Sequence, residues 1–148
     1  MSLQSKVMEE MKTAMRAKDT VSLEALRAIK SALLLAQTES SSKELSEADE
    51  LKLLQKLVKQ RKDSATIYSD QGREDLAAPE LAQAAVIEKF LPEQMSEEEI
   101  AVVVEKTIAD TGAEGMKDMG KVMGAVTKQL AGKADGKVIS AIVKQKLA

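Results

Sequence analysis

Apolar side chains recur every three or four residues along most of the chain, and this spacing constrains the fold more than any other sequence feature. Three such stripes are Leu3, Val7, Met11 and Met15; then Leu26, Ile29, Leu33 and Ala36; then Leu51, Leu54, Val58, Ala65 and Tyr68. The spacing matches the period of an amphipathic α-helix, in which one face is buried. Aromatic residues make up only 1% of the chain, so the core must consist of Leu, Ile, Val, Met and Ala. These residues favour helices over sheets and predict an all-α fold.

Four helices are predicted before a boundary at Pro92. A polar break at 18–20, a serine-rich connection over 37–43 and Gly72 separate the first helices. The fourth helix lies within 73–91 and contains Pro79, so either the helix starts close to this proline or residues 73–78 form a separate turn. Pro92 disfavours helical geometry at the preceding residue. We therefore predict an N-terminal helical domain over 1–91.

A three-helix domain over 96–148 is predicted to follow. Ser96 and Glu99 form a capping box, a helix-start signal, and Asp135 is expected to cap the last helix. The helices are expected at about 97–111, 116–131 and 136–147, with glycines between them.

The chain lacks both cysteine and histidine, which excludes several kinds of chemistry. A thiolate nucleophile, an imidazole base, a Cys/His zinc site and a Ser-His-Asp triad all require one of these residues. The N-terminus has charges every few residues in place of a signal-peptide core, and no apolar run approaches the roughly 20 residues that span a bilayer. We expect a cytoplasmic protein without membrane association, metal, cofactor or catalytic residues.

Charge is distributed unevenly along the C-terminal part. Residues 93–114 contain seven acidic residues and one lysine, whereas residues 115–148 contain seven lysines and two aspartates. Such asymmetry is a weak indication of a polyanionic partner. The alternative is that the lysines only solvate exposed helix faces.

Two glycines, Gly120 and Gly124, lie four residues apart within a predicted helix, where each costs about 1 kcal/mol relative to alanine. They either let a neighbouring helix pack closely, with methionines filling the core, or expose backbone to a phosphate or sugar.

Residues 132–137 resemble a phosphate loop but lack its full spacing and hydroxyl residue, so we exclude nucleotide hydrolysis. The predicted polyanion site consists of Lys117, Gly120, Lys121, Gly132, Lys133, Gly136 and Lys137.

Arg61 falls within the apolar stripe of the third helix. A buried arginine needs a carboxylate partner, and Glu24, Glu80 or Glu88 could supply it. Tyr68, two turns further along the same face, is expected to belong to the same structural network.

Several short motifs resemble those of the GatB/YqeY family. They are Leu26-Arg27-Ala28-Ile29-Lys30, Gln60-Arg61-Lys62-Asp63-Ser64, Gly72-Arg73-Glu74-Asp75-Leu76, Leu91-Pro92-Glu93-Gln94-Met95-Ser96, Asp118-Met119-Gly120-Lys121-Val122-Met123 and Gly132-Lys133-Ala134-Asp135-Gly136-Lys137. The resemblance covers essentially the whole chain. Two positions depart from the family pattern, Phe90 in place of the usual Tyr and Pro79 in a helical position.

The resemblance implies a bacterial, stand-alone relative of the tail domain of tRNA-dependent amidotransferase B subunits, in which the tail contacts tRNA. It implies tRNA as partner, together with an amidotransferase or an aminoacyl-tRNA synthetase. A non-catalytic tRNA-binding module is therefore the first hypothesis. A protein-interaction adaptor is the second. A carbon–nitrogen ligase with glutamine as amide donor, the activity often attached to the family, is the third.

Overall fold

All regular structure that the computed structural model describes, over residues 2–39 and 45–148, is helical. Its seven α-helices are α1 (Leu3–Ala17), α2 (Thr20–Glu39), α3 (Glu47–Asp70), α4 (Glu74–Glu88), α5 (Glu97–Thr111), α6 (Met119–Gln129) and α7 (Gly136–Leu147). A single 3₁₀ turn, Met116–Asp118, leads into α6. The predicted all-α fold is confirmed. The chain divides into two compact units, the first ending at Leu91 and the second comprising Pro92–Ala148.

Polar side chains cap the first turns of α3 and α5, the second as the sequence predicts. Ser46 and Asp49 form a reciprocal capping box at α3, and Ser96 and Glu99 form another at α5. These side chains satisfy backbone N–H groups that have no partner within the helix. In the predicted connection over 37–43, residues 37–39 belong to α2, and the remaining positions lie outside the described residues.

Helix α4 runs through Pro79 without interruption, which differs from both alternatives that the sequence left open. Pro79 lies in the second turn of the helix, so its missing N–H removes one hydrogen bond, the one to the carbonyl of Asp75. At the start of α4 the Arg73 guanidinium donates to both carboxylate oxygens of Asp75 at 3.0 and 2.9 Å. This interaction lowers the pKa of Asp75.

The first unit packs its four helices around one apolar cluster. The largest fully buried side chains there are Leu26, Ile29, Leu54, Ile87 and Val7.

Helix α1 departs from its predicted stripe near its C-terminal end. Ala14 is buried, whereas Met15 is 53% exposed. A small residue at the buried position allows α2 to approach α1 closely beside their short connection.

The second unit has a separate core of aliphatic residues from α5, α6 and α7. Its fully buried members are Ile100, Val104, Val122, Val126, Ile139 and Val143. Thr107 is also buried, and it is satisfied because its hydroxyl donates to the Val103 carbonyl at 2.8 Å and accepts from the Gln129 amide at 3.2 Å. The predicted C-terminal helices therefore pack against one another.

The capping box at α5 predicts a dependence of stability on pH. The Ser96 backbone N–H donates to the Glu99 carboxylate at 3.1 Å, which lowers the pKa of Glu99. Because the folded-state pKa is the lower one, the stabilisation is complete above the unfolded-state pKa and is lost as pH falls through the folded-state value.

We expect Glu99→Gln to destabilise the protein at pH 7, with a difference from the wild type that shrinks as pH falls through the lowered folded-state pKa of Glu99. Urea unfolding over a series of pH values from 7 downwards measures this. Glu98→Gln, in the same helical turn, is the matched control for loss of charge at the helix N-terminus. A Glu99→Gln difference that stays constant with pH would contradict the prediction.

Candidate functional site

Gly120 and Gly124 lie on the outward face of α6. Residues 120, 124 and 128 are four apart and share a side of the helix, and Val122 and Val126 bury the opposite side. A Cβ atom built on either glycine would meet no heavy atom within 4 Å. Among residues 2–39 and 45–148, no neighbouring helix approaches these glycines, so the packing alternative does not hold there.

The methionines near these glycines occupy a different position. Met119 and Met123 are half-buried and pack against the core of the second unit, as the core alternative predicts. Met116 is 44% exposed in the 3₁₀ turn. Gly120 and Gly124 therefore leave backbone uncovered on the outward face of α6, with polarizable apolar side chains on one side of them.

The lysines predicted from the first part of this segment differ in what they contact. Lys117 is exposed in the 3₁₀ turn. The Lys121 ammonium donates to the Thr111 carbonyl at 3.3 Å, at the last residue of α5. The C-terminal end of a helix carries a partial negative charge that favours a nearby cation, so Lys121 also stabilises the end of α5. Lys128 lies outside the predicted site, although its spacing from Gly120 and Gly124 places it on their face.

Residues 130–135, which we call the tail loop, connect α6 to α7. Gly132 is buried with φ +77°, so its backbone is not at the surface. Lys133 is exposed. Gly136 and Lys137 are exposed in the first turn of α7, where the Asp135 carboxylate accepts the Lys137 backbone N–H at 3.0 Å. The predicted cap of the last helix is confirmed.

Four exposed lysines around α6 and the start of α7 form no salt bridge with an acidic residue that the structure describes. Within residues 2–39 and 45–148, no salt bridge involves Lys117, Lys128, Lys133 or Lys137. Lys146, by contrast, pairs with Glu105 at 2.7 Å. These ammonium groups around α6 and at the start of α7 can therefore contact phosphates without first breaking a salt bridge.

The Arg61 prediction needs a correction. In the part of the chain that the structure describes, Arg61 contacts no carboxylate directly. Its Nε donates to the Gln83 amide oxygen at 3.1 Å, and Gln83 Nε2 donates to Glu24 at 3.1 Å. Glu88 instead pairs with Lys62 at 2.6 Å. Arg61 is only half-buried, so a neutral amide suffices as partner.

Tyr68 contributes a backbone contact to the same unit. It is half-buried, and its carbonyl accepts the Arg73 backbone N–H at 2.8 Å. Among the residues that the structure describes, no hydrogen bond joins the Tyr68 side chain to Arg61. Its membership of the Arg61 network stays a prediction.

The described residues also bear on other kinds of site. They contain no group of three or more Asp or Glu side chains arranged to hold a metal ion. No helix over these residues has the length and apolarity to cross a membrane.

These features define an all-helical protein of two compact units with a lysine- and glycine-bearing C-terminal helix pair. A family model described as Yqey-like protein matches residues 4–147. The chain therefore belongs to the YqeY-like family, as the sequence motifs predicted.

Two curated relatives match parts of the chain. One is altered inheritance of mitochondria protein 41, mitochondrial, from Meyerozyma guilliermondii, 37% identical over 82 residues. The match covers 55% of this chain and 42% of that protein. The other is a subunit of the glutamyl-tRNA(Gln) amidotransferase from Thermococcus gammatolerans, 34% identical over 73 residues. That match covers 47% of this chain and 12% of the archaeal protein, so both relatives are considerably longer than the part that is shared.

Proposed function

We propose that this protein is a non-catalytic tRNA-binding module that works with a tRNA-dependent amidotransferase or an aminoacyl-tRNA synthetase in the bacterial cytoplasm. The observation that carries the proposal is the open backbone at Gly120 and Gly124 together with exposed lysines, around α6 and at the start of α7, that form no salt bridge with a described residue. The relationship to an amidotransferase component supports the choice of tRNA as the polyanion.

The expected contacts are with the phosphate and sugar backbone. Lys117, Lys128, Lys133 and Lys137 supply positive charge, and Gly120 lets a ribose or phosphate approach the helix more closely than any side chain would allow. Structured RNA is recognised largely by shape and backbone. Both aromatic residues of the chain, Tyr68 and Phe90, lie outside this segment, so stacking on unpaired bases plays no part here.

A titration of fluorescently labelled total tRNA, followed by anisotropy at several salt concentrations, tests the proposal. We expect Lys133→Glu combined with Lys137→Glu to raise Kd at least about tenfold and to reduce the log–log salt slope by about two, one for each phosphate that the variant no longer neutralises. Charge reversal at Lys121 is less informative because this lysine also donates to Thr111.

Lys12→Glu combined with Lys106→Glu is the matched control, since it makes the same change in net charge on exposed faces of α1 and α5. The control is expected to leave Kd nearly unchanged. Equal loss of affinity in both double variants would show that net charge, and not this site, determines binding. Absence of binding by the wild type at low salt would overturn the proposal.

A protein-interaction adaptor is the second candidate, favoured by the exposed Met116 beside the bare face of α6. The carbon–nitrogen ligase hypothesis has no such observation in its favour. Capture of an amidotransferase or synthetase after RNase treatment, abolished by Gly120→Leu, would support the adaptor. Release of ammonia from glutamine by the purified chain alone would support the ligase.

A further inference from the structure

The start of the second unit holds the tail loop in place. The Gln94 side-chain amide donates two hydrogen bonds, to the Pro92 carbonyl at 2.9 Å and to the Gly132 carbonyl at 2.8 Å. The Met95 backbone N–H donates to the Lys133 carbonyl at 2.9 Å. Two consecutive carbonyls of the tail loop are therefore fixed by residues 38 positions earlier in the chain.

Within the tail loop, a backbone hydrogen bond, two buried side chains and the conformation of Gly132 form the turn between α6 and α7. The Lys133 N–H donates to the Leu130 carbonyl at 2.9 Å, and Leu130 and Ala134 are both buried. Gly132 adopts a positive φ that strains any side chain. The carbonyls of Gly132 and Lys133 are thus bonded within the second unit, whereas Lys133 as a residue is exposed.

We infer that Gln94 is a positioning residue for RNA binding: it fixes the tail loop, which presents Lys133 and leads into the first turn of α7 with Lys137. This inference rests on the proposed function. Gln94 itself needs no contact with RNA. The Gln94 amide has two N–H donors for the two carbonyls, of Pro92 and Gly132. A carboxylate or an apolar side chain of equal size has no such donors.

The physical consequence is pre-organisation. A loop held in its binding geometry loses little entropy when its lysines meet phosphates, whereas a released loop must be ordered at that moment. The number of phosphate contacts stays the same in both cases. Loss of the Gln94 hydrogen bonds should therefore weaken binding without changing the salt slope.

The test compares Gln94→Met, which keeps size and charge but removes both donors, with Gln145→Met on the exposed face of α7 as control. We expect Gln94→Met to raise the Kd for total tRNA roughly threefold to tenfold at an unchanged salt slope. Faster amide hydrogen exchange at Lys133 should accompany it. The control should alter neither quantity.

A double-mutant cycle separates positioning from a general structural effect. In a Lys133→Ala, Lys137→Ala background, Gln94→Met should no longer weaken binding, because it acts through those lysines. If the wild type binds tRNA, an unchanged Kd in Gln94→Met, or an equal loss of affinity in the background without these lysines, overturns this inference alone. Absence of tRNA binding by the wild type overturns it together with the proposed function.

Discussion

Replacing both outward-facing glycines of α6 by alanine, Gly120→Ala with Gly124→Ala, is expected to make the protein more stable and to weaken tRNA binding. Each glycine costs the helix about 1 kcal/mol relative to alanine, and neither new Cβ meets a neighbour. The free energy of unfolding should therefore rise by up to about 2 kcal/mol, with a melting temperature several degrees higher. Thermal unfolding followed by circular dichroism measures this gain.

The same two methyl groups cover the backbone that the proposal assigns to RNA. We expect a higher Kd in the tRNA titration despite the higher stability. Thr127→Ala is the matched control, because it raises helix propensity on the exposed surface of α6 and leaves both glycines bare. A stabilised double variant that binds tRNA as the wild type does would show that RNA does not approach this backbone.

Ile139→Ala is expected to destabilise the second unit by about 2–5 kcal/mol. Ile139 is fully buried in the aliphatic core of α5, α6 and α7, so its truncation leaves a cavity there. Urea unfolding followed by far-ultraviolet circular dichroism measures the loss.

Val102→Ala provides the comparison for Ile139→Ala. Val102 lies on α5 of the same unit but is 65% exposed, so its truncation should change stability by no more than about 0.5 kcal/mol. Similar losses in the two variants would contradict the core described for α5, α6 and α7.

Helix starts were predictable because their causes are local. Ser46, Ser96 and Asp135 each satisfy backbone N–H groups two or three residues further along the chain, and that relationship is visible in sequence alone. The fold class followed from apolar periodicity for the same reason. Pro79 was harder, because a proline beyond the first turn loses a hydrogen bond and crowds the carbonyl four residues earlier, whereas the packing of α4 against α2 and α3, which favours the helix, is not visible in the sequence.

Features that depend on tertiary neighbours were not predictable. The side-chain partner of Arg61 is Gln83, a neutral residue, whereas the sequence argument considered only carboxylates. Spacing alone could not tell whether Gly120 and Gly124 meet another helix or open surface. The carbonyl of Gly132 accepts a hydrogen bond from Gln94, 38 residues earlier in the chain. Lys128 could have been found, since its four-residue spacing from Gly124 is visible in the sequence.

The separate cores have a practical consequence for spectroscopy. Tyr68, the one tyrosine in a chain without tryptophan, lies in the first unit, so intrinsic fluorescence reports on that half of the molecule. Far-ultraviolet circular dichroism detects the helices of both halves. Melting curves recorded with the two signals on one sample therefore differ only if the second unit unfolds at a different temperature from the first. Their comparison reports on the second unit without any label.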